Sequence, residues 1–303
     1  MGIIFYASSD CEASQNTIRN CGIVGIHTDG ESINCQFTSN DVSDCEEGID
    51  LEKSSQNVVN GNNLSNNNVS LVLNGCGASN VLRANNMSGY KNNLIVWGSS
   101  LSAFLQDIDA SNIVDGKTVY YLSGLLNREI NTQSVPNAGY LALVNCTDVT
   151  VNGIQLLSNK DGFLLAESNS CTLNGLTING NTNTQFGTGL TFYQSNNNTI
   201  TNSEVRNNSR GVCFYLSNGN LLFRNTFVGN TQQVASDFSS PFSTIASTLS
   251  ANKWDNGVEG NYWGDYEIRY PNATQIDATG TENTPYALDL NNADAHPLVT
   301  NPR

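Results

Sequence analysis

The chain has 303 residues, and its 27 Asp and Glu against 13 Lys and Arg give a formal net charge of −14 at pH 7. This charge argues against a nucleic-acid partner, because phosphate binding needs a stripe of Lys and Arg. The sequence also lacks an apolar run of about 18 residues, so it predicts no membrane-spanning helix. Asparagine supplies 47 residues, yet 38% of the chain is hydrophobic, which is too apolar for a disordered protein.

The first residues, MGIIFYASSDCEAS, read as if they lay inside a strand and lack the basic region of a secretory signal. They offer no cap, although an uncapped coil of strands exposes its edges. One interpretation is that the chain is a mature or excised piece of a longer protein. The other is that a partner covers the first rung, by end-to-end stacking into a filament.

A repeat begins near residue 25 and continues through most of the chain. A glycine followed by alternating apolar residues leads, nine positions later, to an anchor that is usually asparagine. The anchors are Asn34, Asn57, Asn80, Asp148, Cys171, Asn198 and Asn220. Neighbouring anchors are 22 to 27 residues apart, except for one gap of 68 between Asn80 and Asp148. This period indicates a solenoid, and short strands of period two without helical periodicity predict a parallel β-helix.

The anchors predict how asparagine contributes to such a coil. Stacked asparagines can form a ladder of side-chain amides along the coil. Asparagine also tolerates the left-handed conformation that sharp corners require. The predicted ladder residues are Asn34, Asn57, Asn80, Asn198 and Asn220.

Six of the eight cysteines form pairs that are about one rung apart. The pairs are Cys11 with Cys35, Cys21 with Cys45, and Cys146 with Cys171. An even cysteine count in an exported protein favours disulfides. Stacked reduced thiols are the alternative, because the Cβ atoms of in-register neighbours lie about 4.8 Å apart, slightly beyond the ~3.5–4.5 Å of a disulfide, and free cysteine is a good small core residue. Since no Cys-x-x-Cys occurs, a structural zinc site is not expected.

The stretch DCEEGIDLE, residues 44–52, concentrates acidic side chains. Glu46, Asp50 and Glu52 can share one face of a strand, as either a calcium site or a solvated acidic surface. Copper is poorly supplied with soft ligands, because His27 and His296 are far apart in sequence and only two methionines occur. The sequence therefore requires no cofactor, and calcium is the ion it can best accommodate.

Sequons occur throughout the chain, as expected where asparagine is abundant. Those at surface corners are the best candidates for N-glycosylation, namely Asn63, Asn68 and Asn86.

The best group of acids and bases lies between residues 161 and 210. Counted from the rung glycines, Asp161 and Arg210 share a column two rungs apart, and Glu204 and Arg206 share one strand face. With Glu167, these residues are candidates for cleavage of a polysaccharide, which needs two carboxylates or an acid with a base. No histidine joins them, so solvated surface ions are the alternative interpretation.

Aromatic residues crowd the stretch NKWDNGVEGNYWGDY, residues 252–266. Trp254, Tyr262, Trp263 and Tyr266 can stack on sugars, but large rings with polar tips also suit a plug for the open end of a coil. The neighbouring acids are candidates for a cation site or for hydrogen bonds within a loop cap. They are Asp265, Asp277, Asp289 and Asp294.

Three stretches resemble the NosD-like parallel β-helix proteins found on archaeal cell surfaces: SNIVDGKTVYYL, SNNNTITNSEVRNNSRGVCFYLSNGNLLFRNTF and the Asn-Tyr-Trp motif just described. The resemblance implies a right-handed coil, an exported protein, and a fold group shared with carbohydrate-binding and sugar-cleaving proteins. The chain departs from the family after the closing motif. EIRYPNATQIDATGTENTPY stands there in place of a run of Asp and Gly.

The sequence thus predicts an all-β protein, a single-stranded right-handed parallel β-helix of about ten rungs over residues 1–249, with a cap over 250–303. Residues 90–138 are expected to be less regular. The leading functional hypothesis is an extracellular or cell-surface rod that binds glycans or envelope components, or assembles with itself. The alternatives are a polysaccharide lyase or hydrolase, and a calcium- or copper-linked module for metalloprotein maturation.

Overall fold

A computed structural model describes residues 1–157, 161–181, 187–235, 250–274, 280–289 and 292–302. Within these ranges, the side chains of Tyr90, Lys91 and Asp161 are not described. The chain forms two compact units, the first of residues 1–123 with 136–144 and the second of residues 124–135 with 145–303.

The first unit consists of short strands and one helical turn. They are β1 (Ile3–Tyr6), β2 (Glu12–Ser14), β3 (Thr17–Arg19), β4 (Val24–Asp29), β5 (Gln36–Thr38), β6 (Asp41–Ser43), β7 (Glu47–Glu52), β8 (Val58–Asn60), β9 (Asn63–Asn74), β10 (Val81–Arg83), β11 (Asn86–Trp97), α1 (Leu101–Phe104), β12 (Asp107–Ile108), β13 (Ile113–Val114), β14 (Lys117–Ser123) and β16 (Ala138–Val144).

The second unit has the same pattern. Its elements are β15 (Glu129–Ile130), β17 (Thr150–Asn152), β18 (Gln155–Leu157), β19 (Asp161–Ala166), β20 (Thr172–Asn174), β21 (Thr177–Asn179), β22 (Thr188–Tyr193), β23 (Thr199–Thr201), β24 (Glu204–Arg206), β25 (Arg210–Tyr215), β26 (Leu221–Phe223), β27 (Thr226–Val228), β28 (Gln232–Ala235), β29 (Tyr262–Trp263), α2 (Tyr266–Arg269), β30 (Tyr286–Ala287) and β31 (Ala293–Asp294).

Parallel pairing between successive turns builds the faces of each unit. In the first unit, one face runs β1-β4-β7-β9-β11 and another runs β2-β5-β8-β10-β12. In the second unit, the three faces are β19-β22-β25-β28, β15-β17-β20-β23-β26 and β18-β21-β24-β27-β29. The two units together contain about ten turns. The all-β parallel β-helix predicted from the repeat is therefore confirmed.

The register also agrees with the predicted period. Ile26 pairs with Ile49, Ile49 with Leu71 and Leu71 with Leu94, so one turn takes 22 or 23 residues. All four side chains have no exposed surface. Since alternate residues of a strand point to opposite faces, this column fills the inside of the coil while its neighbours face outward.

The repeated glycines occur where two turns approach most closely. A Cβ atom on Gly189 would lie 2.6 Å from the carbonyl oxygen of Gly211 and 3.0 Å from Nδ2 of Asn208. Gly48 and Gly162 are crowded in the same way by the carbonyl oxygens of Ser70 and Gly189. A side chain at these three positions would push neighbouring turns apart, which explains the glycines there, although Ser70 and Asn93 occupy the equivalent positions of two turns in the first unit.

The regular pattern is interrupted from Ser88 onward, first within β11 and then after Trp97. Register shifts interrupt the pairing of β9 with β11, α1 forms one helical turn, and β13 pairs antiparallel with β14. Tyr121 is buried there and donates a hydrogen bond to the carbonyl oxygen of Phe104 at 2.6 Å. Neither α1 nor α2, the helices of the described ranges, is long and apolar enough to cross a membrane.

Candidate functional site

In the first unit, asparagine side chains of successive turns form a hydrogen-bonded ladder, and Asn34 lies one residue before the ladder position of its turn. Asn57 donates from Nδ2 to Oδ1 of Asn80 at 3.1 Å, and Asn80 donates to Oε1 of Gln106 at 3.0 Å. Asn34 instead lies exposed at a corner with φ of 56°, and Cys35 occupies the ladder position. The residue with left-handed backbone at each corner directly precedes the ladder residue. Counting nine residues from Gly25 therefore reaches the corner residue, Asn34, rather than the ladder residue, Cys35.

In the second unit the ladder continues from Asn198 to Asn220 and on to Asn252, with amide contacts of 3.0 Å at both steps. The structure also contains a longer ladder that the sequence reading did not identify. It consists of Asn16, Asn40, Asn62, Asn85 and Asn112.

The candidate acid and base residues lie on β19, β24 and β25 and at the corner after β19. Glu204 and Arg206 lie on the same face of β24, with 3.5 Å between Oε1 and Nη1. Glu167 lies at the corner after β19 with φ of 51°, where burial raises its pKa. Arg210 is buried on β25, and its backbone shares a column with Thr188 and Asp161, whose side chain is outside the described part. The pair of Glu204 with Arg206 is thus the described contact that joins an acid to a base on the predicted catalytic face.

The aromatic residues of the C-terminal motif pack against the core of the second unit. Trp254 and Trp263 are each 1% exposed, and Trp263 stacks on Phe227 and on Tyr286 at 4.7 and 4.2 Å between ring centroids. Tyr266 is buried as well, whereas Tyr262 is partly exposed on β29. This arrangement supports the interpretation of a plug, because buried rings offer no face to a sugar.

The acids of the same region are hydrogen-bond acceptors for the plug. Asp294 accepts hydrogen bonds from the indole of Trp263 at 2.9 Å and the backbone N–H of Asn261 at 2.7 Å. Asp265 accepts from the hydroxyl of Tyr286, and Asp289 accepts from the side chain of Asn292. Asp277 lies outside the described residues. The described acids of this group thus act as hydrogen-bond acceptors for the plug.

A different group of side chains converges on the outer face of the first unit. His27 on β4 and Asp50 on β7 are in register, and Nδ1 of His27 lies 2.9 Å from Oδ2 of Asp50. Glu52 lies two residues beyond Asp50 on the same face. One potential ligand atom from each of the three residues lies within 4.8 Å of the others. Within the described ranges, this is the one such group of three His, Cys, Asp or Glu side chains.

Burial makes this group electrostatically unusual. Asp50 is 7% exposed, and its Oδ1 is buried with no hydrogen-bond partner among the described residues. Burial raises the pKa of Asp50, and the hydrogen bond to Asp50 raises the pKa of His27. Burial also raises the pKa of Glu47, at the start of β7, to about 7, and the charge of Asp50 adds to this. Two carboxyl groups with raised pKa values, those of Asp50 and Glu47, therefore lie near His27.

The donor atoms indicate which ions can fit. Imidazole and carboxylate together suit Cu(II), Zn(II) and Ni(II), whereas Cu(I) prefers sulfur. Two ligand atoms at right angles and about 2.0 Å from an ion are about 2.8 Å apart, close to the 2.9 Å between His27 and Asp50. Glu52 also contacts Nζ of Lys53 at 2.8 Å, so ion binding would compete with this ion pair.

A sequence signal for this group existed. His27 follows Gly25 by two residues, and Asp50 follows Gly48 by two residues, so the rung count places them opposite each other. Comparing His27 with His296 and the methionines alone left this register unused. His296 lies 3.2 Å from Asp255, and no third potential ligand joins them among the residues that the structure describes.

Two of the three predicted cysteine pairs are in register. Cys11 lies beside Cys35, because the backbone N–H of Gln36 donates to the carbonyl oxygen of Cys11. Cys21 lies beside Cys45, because the N–H of Glu46 donates to the carbonyl oxygen of Cys21. Cys146 instead lies opposite Ser168, whose hydroxyl accepts its N–H at 3.1 Å, and Cys171 lies opposite Asn198. The spacing of 25 residues is longer than the local turn of 22, so the third pair is offset.

The three glycosylation candidates take part in side-chain ladders on the outer surface. Asn63 donates to Asp41, Asn86 donates to Asn63, and Asn68 donates to Glu46, at 2.7 to 3.1 Å. The amide nitrogen of each, which a glycan would modify, is thus already a hydrogen-bond donor.

A family model described as "Periplasmic copper-binding protein (NosD)" matches residues 1–104 and 126–268. The match covers most of both compact units, including the strands that carry His27, Asp50 and Glu52. A search of curated proteins found no match to the chain.

Proposed function

This chain belongs to the NosD family, and we propose that it is an exported β-helix protein that binds a divalent transition-metal ion through His27, Asp50 and Glu52. The observation that carries the proposal is the convergence of one imidazole and two carboxylates at 4.8 Å or less. The periplasmic description of the family supports export, and its copper-binding description favours Cu(II) as the ion.

Asp50 provides independent support for an ion at this place. A buried carboxylate oxygen without a hydrogen-bond donor costs free energy unless a cation or donor compensates it. The unpaired Oδ1 of Asp50 has this character. The in-register strands β4 and β7 hold Asp50 and His27 rigidly, so little ordering would be needed on binding.

The test is titration of the purified chain with Cu(II), Zn(II) and Ca²⁺, followed by calorimetry and, for copper, by electron paramagnetic resonance. We expect one Cu(II) per chain, with nitrogen coupling from one imidazole. His27→Ala should abolish this binding.

His296→Ala is the matched control, because His296 also faces an aspartate but has no third potential ligand within the described ranges. It should leave the affinity unchanged. Equal binding by the wild type and His27→Ala, or loss of binding in His296→Ala, would contradict the proposal.

A structural role in an extracellular or cell-surface layer is a second candidate, and the outer ladders favour it. Asn174 accepts a hydrogen bond from Asn202 and donates one to Asn152, at 2.9 and 3.0 Å. Such rows present amides at about the 4.8 Å spacing of the strands, which a glycan chain or envelope component can bridge. Tyr215, which is partly exposed and stacks on the buried ring of Tyr193 at 4.9 Å between centroids, adds aromatic surface in the same unit.

Affinity electrophoresis in neutral and acidic polysaccharides, together with sedimentation, tests this second role. Retarded migration that Asn174→Ala weakens would support glycan binding, and concentration-dependent sedimentation would support self-assembly. Shortening of the glycan that requires Glu167 and Arg210 would instead favour a lyase or hydrolase. A chain that neither binds nor associates would contradict the second role.

A further inference from the structure

Two ladders of the first unit end in cysteine pairs rather than in asparagines. The N–H of Cys45 donates to Oδ1 of Asn67 at 3.0 Å, as the N–H of Asn40 donates to Asn62. In the preceding turn, the N–H of Cys21 donates to Sγ of Cys45 at 3.3 Å. The sulfur of Cys45 therefore takes the place of an amide oxygen in the ladder.

The second pair repeats this arrangement at another corner. The N–H of Cys35 donates to Oδ1 of Asn57 at 2.8 Å, and the N–H of Gln36 donates to the carbonyl oxygen of Cys11. Cys11 thus lies directly beside Cys35, in the turn before Asn57. Both pairs join the same two turns of the coil.

Ladder positions bring side chains of neighbouring turns into direct contact. The side-chain Nδ2 and Oδ1 of asparagines at equivalent positions lie 2.9 Å apart, and Sγ of Cys45 lies 3.3 Å from the backbone nitrogen of Cys21. In-register strands are about 4.8 Å apart, within the 4.4–6.8 Å between Cα atoms that disulfides span. Bond formation therefore needs rotation of side chains rather than movement of strands.

Each pair combines an accessible thiol with a buried one. Cys11 and Cys21 are partly exposed, whereas Cys35 and Cys45 are 0% and 4% exposed. Burial raises the pKa of both buried thiols, which leaves the exposed partner as the one that meets an oxidant.

We propose that Cys11–Cys35 and Cys21–Cys45 are disulfide-forming sites whose substrate is a disulfide oxidant of the thiol-exchange class. The exposed thiolate attacks one sulfur of the oxidant, forms a mixed disulfide and releases a thiol. The buried partner then attacks the mixed disulfide, closes the bond within the chain and releases the second thiol. Two thiol protons and two electrons leave the protein, and the oxidant takes up both electrons.

The bonds would fasten the part of the first unit that has the fewest neighbours. In the described part, β1, β2 and β3 each pair with a strand on one side only. Two links at different corners would tie this turn to the next one, restricting the unfolded chain and the fraying of the edge.

The test uses the full chain, purified in reductant, transferred to oxidised glutathione and then alkylated in denaturant. Trypsin cuts after Arg19 and Lys53, so Cys11 lies in peptide 1–19 and the other three cysteines lie in peptide 20–53. We expect these peptides to be joined, with a combined mass about 4 Da lower than that of the reduced peptides. The temperature of unfolding should also rise by several degrees.

Single variants separate the two bonds. Cys11→Ser should leave peptide 20–53 as a separate species with one internal bond, and Cys21→Ser should leave the two peptides joined by one bond. The offset residues Cys146 and Cys171 are internal controls and should be alkylated in every sample. Alkylation of all eight cysteines, or bonds that involve Cys76 or Cys146, would overturn the proposal.

Discussion

The amide oxygen of Asn62 accepts two hydrogen bonds from Asn40, one from its backbone N–H at 3.0 Å and one from its Nδ2 at 2.9 Å. Asn62 in turn donates from Nδ2 to Asn85 and to the carbonyl oxygen of Phe37. Asn62 is 1% exposed, so these polar groups have no access to water. The ladder therefore satisfies buried backbone groups at a corner where the parallel strands do not.

Asn62→Ala should destabilise the first unit by about 3 kcal/mol, because it leaves two buried donors of Asn40 without an acceptor and opens a small cavity. Chemical denaturation monitored by circular dichroism measures this loss. Asn63→Ala is the matched control: Asn63 is the next residue but is exposed, so its loss should cost less than about 0.5 kcal/mol. Equal effects of the two variants would show that the ladder contributes little to stability.

Gly189→Ala should destabilise the second unit by about 3 kcal/mol or prevent folding. The added methyl group would lie 2.6 Å from the carbonyl oxygen of Gly211, and the neighbouring backbone would have to move. Gly22→Ala is the control, because a Cβ at Gly22 meets no atom within 4 Å. The unfolding temperatures of both variants are the measurement. A large decrease for Gly189→Ala alone indicates crowding, whereas equal decreases would show that alanine destabilises the coil at any glycine position.

The fold could be predicted from the sequence because each turn repeats the same physical requirements. A small residue at the close approach, alternating apolar residues inside and an amide at the corner recur every 22 or 23 residues in the first unit. The break after Trp97 and the hydrogen bonds of the plug were less predictable, because they depend on contacts such as Asp294 with Trp263, 31 residues apart.

The candidate site was harder to predict, although His27 and Asp50 are one turn apart. A nine-residue count located the left-handed corner at Asn34, one residue before the ladder position at Cys35. The spacing of residues in the sequence indicates which turn a residue belongs to, but not on which side of a corner it lies. To identify the group of His27, Asp50 and Glu52 from the sequence, one must know both the register of β4 with β7 and which of their side chains point outward.

Lys53→Ala should tighten Cu(II) binding by about three- to fivefold. It removes a positive charge beside the proposed site and releases Glu52 from an exposed ion pair. Calorimetric titration at fixed ionic strength measures the change. Arg19→Ala is the control, because it removes the same charge from another exposed ion pair of the first unit. An equal gain in both variants would indicate a general charge effect rather than release of Glu52.

Asp294 links the stability of the plug to pH. Its carboxylate has no exposed surface, and burial raises its pKa to about 6. The N–H groups of Asn261, Trp263 and His296 favour the charged form, and Asp255 opposes it, but burial has the largest effect. Because the pKa of Asp294 is higher in the folded chain than in the unfolded one, its contribution to the free energy of unfolding is greatest below about pH 4 and is lost as the pH rises through 6.

A shift of about two pKa units corresponds to about 3 kcal/mol, so the free energy of unfolding should fall by up to this amount between pH 4 and pH 7 through Asp294 alone. Other buried acids, including Glu47, contribute to the total slope of the wild type. The readout is therefore the difference between the wild type and Asp294→Asn in denaturant titrations across this range. Asp294→Asn should show the shallower dependence, while Asp107→Asn, at an exposed ion pair, should follow the wild type. Parallel curves for the wild type and Asp294→Asn would mean that the carboxylate keeps an ordinary pKa in the plug, with its hydrogen bonds offsetting its burial.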